Sequence, residues 1–459
     1  MSDRLELASH VSPLTTLVRG VIEWTFPGSA WDELHEQIAP HCRTRKLSIS
    51  SLATLMVQVV AGARRSLFAA FTADQASSAP IIMATYQAVY GRIGRMAPEF
   101  SCALVRESAQ RCGPLWALSE GSFVPGWKGF RVRIIDGTQP DGSEHRLKVL
   151  RRIAAAGLPC RLVVQFDLAT GLCVDAVAAQ DAYASEQILA RELYERAEPS
   201  DLQVCDRHFC TTQAFLQLHQ HQAFLLVREH LPQLILHPRG RAQKMGRVET
   251  GMVFEQPVEL TEARTRETIQ VRRVVIKLDQ PTESGDTEIR LLTSLPTRMN
   301  ALKIAKLYRE RWSIEFHFDL IKNHFQGEIT SLGQPCAAIF ALCLSMVAAN
   351  ALAVVRRTLA QIHGEVMTEG LSGYYLADEI AGNYRAVDAI VPLKDWDRLA
   401  VRSATSFWSW CCHMSERIRP GAFVSHPRGP KRPPPKRASG KQRHHYSTQR
   451  LLDEAEKQC

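Results

Sequence analysis

Residues 307–325, LYRERWSIEFHFDLIKNHF, place Tyr308, Arg311, Glu315 and Lys322 three, four and seven positions apart. On a helix these steps keep all four side chains on one stripe, so a phenol, a guanidinium, a carboxylate and an ammonium share a face. A solvated face with an Arg311–Glu315 ion pair would show the same pattern. Trp312, Ile314, Phe318, Leu320 and Ile321 surround the stripe with apolar groups, which predicts a packed helix that fixes the carboxylate in place. Two more carboxylates stand at the ends of apolar runs: Asp136 in RVRIIDGTQ and Asp206 in LQVCDRHF. Either alone is an ordinary turn residue. Both at the carboxyl edge of a mixed sheet, with Glu315 alongside, would give three hard oxygen donors where open α/β sheets hold their ligands.

A trio of this kind suits Mg²⁺ or Mn²⁺, which take oxygen ligands and keep waters or phosphate oxygens. Two ions about 4 Å apart would serve an in-line displacement at phosphorus. Arg311 and Lys322 flank Glu315 and are placed to hold DNA phosphates. The expected chemistry is cleavage or transfer of phosphodiesters. A rival metal reading, zinc at Cys205, His208 and Cys210, lacks a fourth ligand and any second cluster. His208 is expected to be structural.

The elements that must position these groups follow from periodicity. Residues 1 to about 125 read as mostly helical, with apolar groups at helical spacing over 52–61 and 81–93. From Phe130 the pattern becomes FRVRIID, RLVVQFD and LCVDAVAA, short β-rich runs divided by Gly and Pro. A helix over 185–197, a strand over 202–206, a helix over 211–219 and a strand over 223–227 follow, giving a mixed α/β sheet. Residues 228–287 interrupt the alternation and read as an inserted β-rich subdomain. EIRLLTSL then resumes the main sheet, and Asn300 caps one long helix running to about Phe325.

Of the 459 residues, 45% are hydrophobic and 22% charged, which excludes a wholly disordered chain and a disulfide-stapled miniprotein. The net charge is +9, and ten of the 56 Lys and Arg lie between Arg417 and Arg450, where no acid occurs. The remainder is close to neutral. Residues 417–459 therefore read as a basic, Pro-rich, disordered tail, either solubilising or releasing counterions from nucleic acid phosphates, with a short helix over 448–457. The 12 cysteines are scattered and the N-terminus MSDRLELASH lacks the blocks of a secretion signal, so reduced thiols in a cytoplasm are expected. Residues 336–355 are long and apolar enough to be weighed as a membrane span, yet seven are alanine. A buried core helix, and no membrane, is the expectation.

The pattern Tyr-x₂-Arg-x₃-Glu-x₆-Lys, borne by Tyr308, Arg311, Glu315 and Lys322, resembles the signature of bacterial insertion-sequence transposases of family four, in the DDE superfamily. IIDGTQ and VCDRHF are similar to the blocks that carry the first and second catalytic aspartates there, and the resemblance extends over about residues 125–360. It implies an RNase H-like catalytic domain over 126–416, with the β-rich insertion at 228–287. A helical DNA-binding domain over 1–125 would precede it, and the basic tail would follow. Asp136, Asp206 and Glu315 become the catalytic and metal-binding residues, holding two Mg²⁺ or Mn²⁺, while Tyr308, Arg311 and Lys322 grip DNA. The implied activity is cut-and-paste transposition in the cytoplasm, at the bacterial nucleoid. Its substrates would be terminal inverted repeats and target DNA, held by a homodimer. The 109 residues from Asp206 to Glu315 leave room for the insertion, in which Phe254 is the sole aromatic; no base-trapping residue is assigned. A nuclease without strand transfer and a silent inhibitor that occupies element ends are the competing functions.

Overall fold

Two sequence periods set two kinds of packing: 3.6 before residue 118 and again from Asn300, and 2 in the strands between residues 131 and 293. A computed structural model describes residues 3–40, 47–119, 127–230, 234–282, 284–368 and 370–425. The helical period yields α1 (Asp3–Val11), α2 (Pro13–Thr25), α3 (Ala30–Ile38), α4 (Ile49–Val60), α5 (Leu67–Gln75), α6 (Tyr86–Ile93) and α7 (Pro98–Ala117). Ser12, Ser48, Ser66 and Thr85 cap four of them, each side-chain oxygen accepting the backbone N–H three residues on.

Ten strands follow in one sheet: β1 (Arg131–Thr138), β2 (Arg161–Asp167), β3 (Cys173–Ala179), β4 (Asp201–Cys205), β5 (Phe224–Arg228), β6 (Ile235–Pro238), β7 (Gln243–Val248), β8 (Gly251–Thr261), β9 (Thr268–Leu278) and β10 (Glu288–Thr293). Their order is β3-β2-β1-β4-β5-β10-β9-β8-β6, with β7 also paired to β8. Strands β1, β4 and β5 run parallel, and the other pairings are antiparallel. The strands of the block expected as a β-rich insertion over 228–287 are continuous with the main sheet: β10 pairs with β5 (Leu292 opposite Val227), and β9, β8, β7 and β6 extend the same sheet outward. Unsatisfied edge groups of β5 favour this continuation over an independent hairpin stack.

Alternation assigns the two faces. Ile135, Val163, Cys205, Leu225 and Val227 pack with α8 (Glu186–Glu195) and α9 (Thr212–Gln220). Val132, Ile134, Val204 and Leu226 turn the other way, toward α10 (Ala301–Arg309) and α11 (Ser313–Asp319). Asp136 shares the parity of Ile134 and so faces α10 and α11.

Asn300 caps α10, its Oδ1 accepting the Leu302 N–H at 2.7 Å. The single long helix expected to Phe325 is instead four pieces: α10, a 3₁₀ turn over Glu310–Trp312, α11, and a π turn over Leu320–His324. Each 3₁₀ residue advances roughly 20° more than an α-helical one, so the stripe is re-aimed at Arg311.

The apolar run at 336–355 lies in α12 (Pro335–His363), and residues 337–355 are buried throughout. Asn350, fully buried, ties it to β3: its Oδ1 accepts the Cys173 N–H at 2.8 Å and its Nδ2 donates to the Cys173 carbonyl at 2.9 Å. Around α12 pack α2, α4, α7 and the later helices α13 (Glu365–Thr368) and α16 (Ala404–Glu416), while α14 (Gly373–Ile390) and α15 (Leu393–Ala400) close over α2. The ten cysteines among the described residues are free thiols. The described residues up to Val424 form one compact unit. Residues 417–424 of the expected tail are folded, because Arg417 pairs with Glu6 at 2.6 Å and the Phe423 carbonyl accepts the Ser372 N–H at 2.8 Å. The rest of that tail from 426, with the helix expected over 448–457, lies outside the described residues.

Candidate active site

Asp136 lies within β1, beside its C-terminal end, and Asp206 directly follows β4, the parallel neighbour. Asp206 caps a short 3₁₀ helix, its Oδ1 accepting the His208 N–H at 2.7 Å. Only the backbone of His208 is tied down, its carbonyl accepting Gln187 Nε2 at 2.6 Å; the side chain is exposed. The third acid arrives on α11, where Glu315 is exposed.

Arg311 joins these elements. Its Nη1 donates to Asp136 Oδ2 at 3.0 Å, and its Nη2 reaches Glu315 Oε1 at 3.4 Å. Arg311 is 9% exposed, and its Nε is buried without a hydrogen-bond partner. Burial disfavours its charge, but Tyr308, Asp136, Asp206 and Glu315 together outweigh that and raise its pKa. Burial also pushes Asp136 up to about 6; Arg311 pulls it down, Asp206 pushes it up, the Gly137 N–H lowers it and Glu186 raises it. Tyr308 is half-buried, its phenol pushed up chiefly by burial, with Arg311 opposing and Asp206 adding to the shift.

Of the expected stripe, Tyr308, Arg311 and Glu315 converge with the two aspartates. Lys322 is turned inward instead, donating to the Gln139 carbonyl at 2.7 Å and pairing with Glu328 at 3.0 Å. The apolar surround holds for Ile314, Leu320 and Ile321, but Trp312 is 58% exposed, with the Arg311 guanidinium 5.2 Å from its ring centre. Among the described residues no three His, Cys, Asp or Glu side chains gather as a metal cluster. That leaves the zinc reading at Cys205, His208 and Cys210 without support. Cys205 and Cys210 are buried, and burial pushes the Cys210 thiol up to about 12. The acids are likewise not a ready-made cage, because a guanidinium stands among them. The donor set is nonetheless all carboxylate oxygen, the chemistry a hard divalent cation requires.

Three residues that the sequence reading passed over complete the site. Glu186, in the first turn of α8, lies so close to Gly137 that a Cβ there would sit 2.2 Å from its Oε1. Arg161 pairs with Glu186 at 3.6 Å and donates to Gln139 Oε1 at 2.7 Å. Gln139 in turn holds Lys322, so the loop after Asp136 is clamped from both sides of the sheet. A glycine beside a strand-end acid and a glutamate in a helix's first turn were the available signals; their meeting depends on register, which no local pattern displays.

The fold and site define an α/β protein with carboxylates from two parallel strand ends and a neighbouring helix. Residues 127–351 match the family model of the transposase DDE domain. The match spans β1 to the middle of α12 and supports a transposase of the DDE superfamily. A cryo-EM structure of a piggyBac transposase synaptic complex with hairpin DNA is similar at a TM-score of 0.39 and 10% sequence identity, over 88% of this chain and 85% of that one. A likeness of that size assigns neither fold nor function. No curated protein matches the chain.

Proposed function

We propose that the chain is a cut-and-paste DNA transposase of the insertion-sequence family-four type, with an RNase H-like core. The observation that carries this reading is the convergence of Asp136, Tyr308, Arg311 and Glu315, with Asp206 close enough for its charge to act on Asp136 and Arg311. The strand order β3-β2-β1-β4-β5 with β1, β4 and β5 parallel supports the core assignment.

In this reading Asp136, Asp206 and Glu315 hold two Mg²⁺ or Mn²⁺. When bound, these ions acidify a water or a 3′-hydroxyl and stabilise the leaving oxygen. Arg311 and Tyr308 contact phosphate oxygens of the element end, and Lys322, fixed by Gln139 and Glu328, sets the approach of the strand. Cleavage forms a bond from water oxygen to phosphorus and breaks the bond to the 3′-oxygen, which leaves as a hydroxyl. Joining repeats the displacement with that hydroxyl as nucleophile on target DNA. Residues 1–125 and the basic tail are assigned to binding duplex DNA, the partner being terminal inverted repeats and target. A homodimer, working at the bacterial nucleoid in the cytoplasm, would hold both ends.

The test uses the full chain, Mg²⁺ and duplexes carrying the matched inverted repeats that flank the reading frame. Nicked ends and joint molecules from pre-cut ends are expected. Hydrolysis without joint molecules would make the protein a nuclease, and end binding without either product would make it a silent occupant.

A further inference from the structure

Two of the three buried arginines among the described residues, Arg272 and Arg311, differ in how completely they are satisfied. Arg272 is 7% exposed, and every nitrogen of its guanidinium is used: Nε donates to Glu255 at 2.6 Å, Nη1 to the Pro296 carbonyl at 2.8 Å and Nη2 to the Met299 carbonyl at 2.7 Å. That is an arginine fixed for structure. Arg311 is as buried, yet it makes one good bond to Asp136, a long one of 3.4 Å to Glu315, and leaves Nε with no partner. A buried N–H left unpaired is costly, so what keeps Arg311 in place is charge more than hydrogen bonding. Its Nη groups touch two carboxylates, and Asp206 and Tyr308 add to the field that holds it charged.

We propose that the Arg311 guanidinium is a displaceable counter-cation: it holds Asp136 and Glu315 together in the metal-free chain and gives them up when a divalent cation binds. This rests on the reading of those two residues as metal ligands. Without a cation, closely spaced carboxylates repel one another and disfavour the ionised, compact site. Arg311 removes that repulsion at the expense of occupying the donors. A divalent ion must therefore break two ion pairs to bind. The released guanidinium, with the exposed Trp312 ring beside it, is then free to pair with a DNA phosphate. Cation binding and phosphate binding become mutually reinforcing, each favouring the state the other needs.

The experiment is a Mn²⁺ titration of the full chain by calorimetry, with thermal melts in chelator and in Mn²⁺, for the wild type, Arg311→Gln, Arg311→Lys, Asp136→Asn and Glu315→Gln. Arg311→Gln is expected to melt lower than wild type in chelator and to gain more from Mn²⁺. Its Mn²⁺ affinity should tighten by roughly 10- to 100-fold, the scale set by removing one unit charge a few ångströms away in a partly buried site. Arg311→Lys keeps a charge without the fork and should fall between; it also serves if the glutamine variant does not fold. Equal or weaker Mn²⁺ binding in the folded Arg311 variants overturns the proposal. Unchanged Mn²⁺ binding in Asp136→Asn and Glu315→Gln would instead overturn the ligand assignment beneath it, a separate result.

Discussion

The Gly327 N–H donates to the Ile321 carbonyl at 3.0 Å, and a Cβ on Gly327 would fall 2.8 Å from that same oxygen. The Ser345 hydroxyl on α12 closes the other side, 2.4 Å from the same Cβ position. Gly327 thus seals the π turn that carries Lys322. Gly327→Ala is expected to destabilise the protein by about 1–3 kcal/mol through overpacking against backbone. Urea denaturation measures the loss, and a midpoint within error of wild type would show that the turn can relax.

The three carboxylates are expected to be indispensable to chemistry and dispensable to end recognition. Asp136→Asn, Asp206→Asn and Glu315→Gln should each abolish Mg²⁺-dependent cleavage of an inverted-repeat duplex. Gel-shift affinity for the same duplex should change less than about tenfold, because phosphate contacts by basic groups dominate binding. A variant that still cuts removes its residue from the site.

A pH dependence follows from His35 on α3. It is 2% exposed, stands edge-on to Phe100 of α7 and has Arg92 of α6 at 3.5 Å, with Asp32 on its own helix. Burial lowers its pKa, Arg92 lowers it further and Asp32 opposes them. The unfolded chain therefore takes up a proton near the ordinary value of about 6.5 while the folded chain resists it, so stability is full above that pH and is lost as pH falls through it. Between pH 7 and pH 5 the wild type should lose more stability than His35→Gln. Parallel urea midpoints across that interval would rule this out.

How far the sequence reaches is shown by Asp136, Asp206 and Arg311. Strand ends, parity and the Asn300 cap were all readable from local pattern, because each is set by neighbours within one element. What could not be read is what depends on contacts across the chain. The Arg311–Asp136 pair spans 175 positions, and the inward turn of Lys322 depends on the Gln139 carbonyl from another element. Periodicity in residues 228–287 shows strands without their partners, so their continuity with the main sheet through β10 and β5 is not readable from it. Similarly, a uniform helical stripe concealed the 3₁₀ and π turns that separate Arg311 from Lys322 in orientation.

Asn350 offers the sharpest test of the packing that supports the sheet. In a helix otherwise built for a core, it was one of two polar residues among twenty, and its partners turn out to be both backbone groups of Cys173 on β3 and the Ser108 hydroxyl on α7 at 2.7 Å. β3 is an edge strand, and α12 covers it with a side chain that mimics the missing neighbour. Asn350→Leu keeps the volume but strands a buried N–H and a buried carbonyl, at about 1–3 kcal/mol for each. The variant is expected to lose ~3 kcal/mol or more and to expose β3 to hydrogen exchange, while Asn350→Asp should keep the hydrogen bond from the Cys173 N–H but set its second oxygen, an acceptor, against the Cys173 carbonyl. A leucine variant as stable as wild type would mean that the β3 edge is held by burial alone.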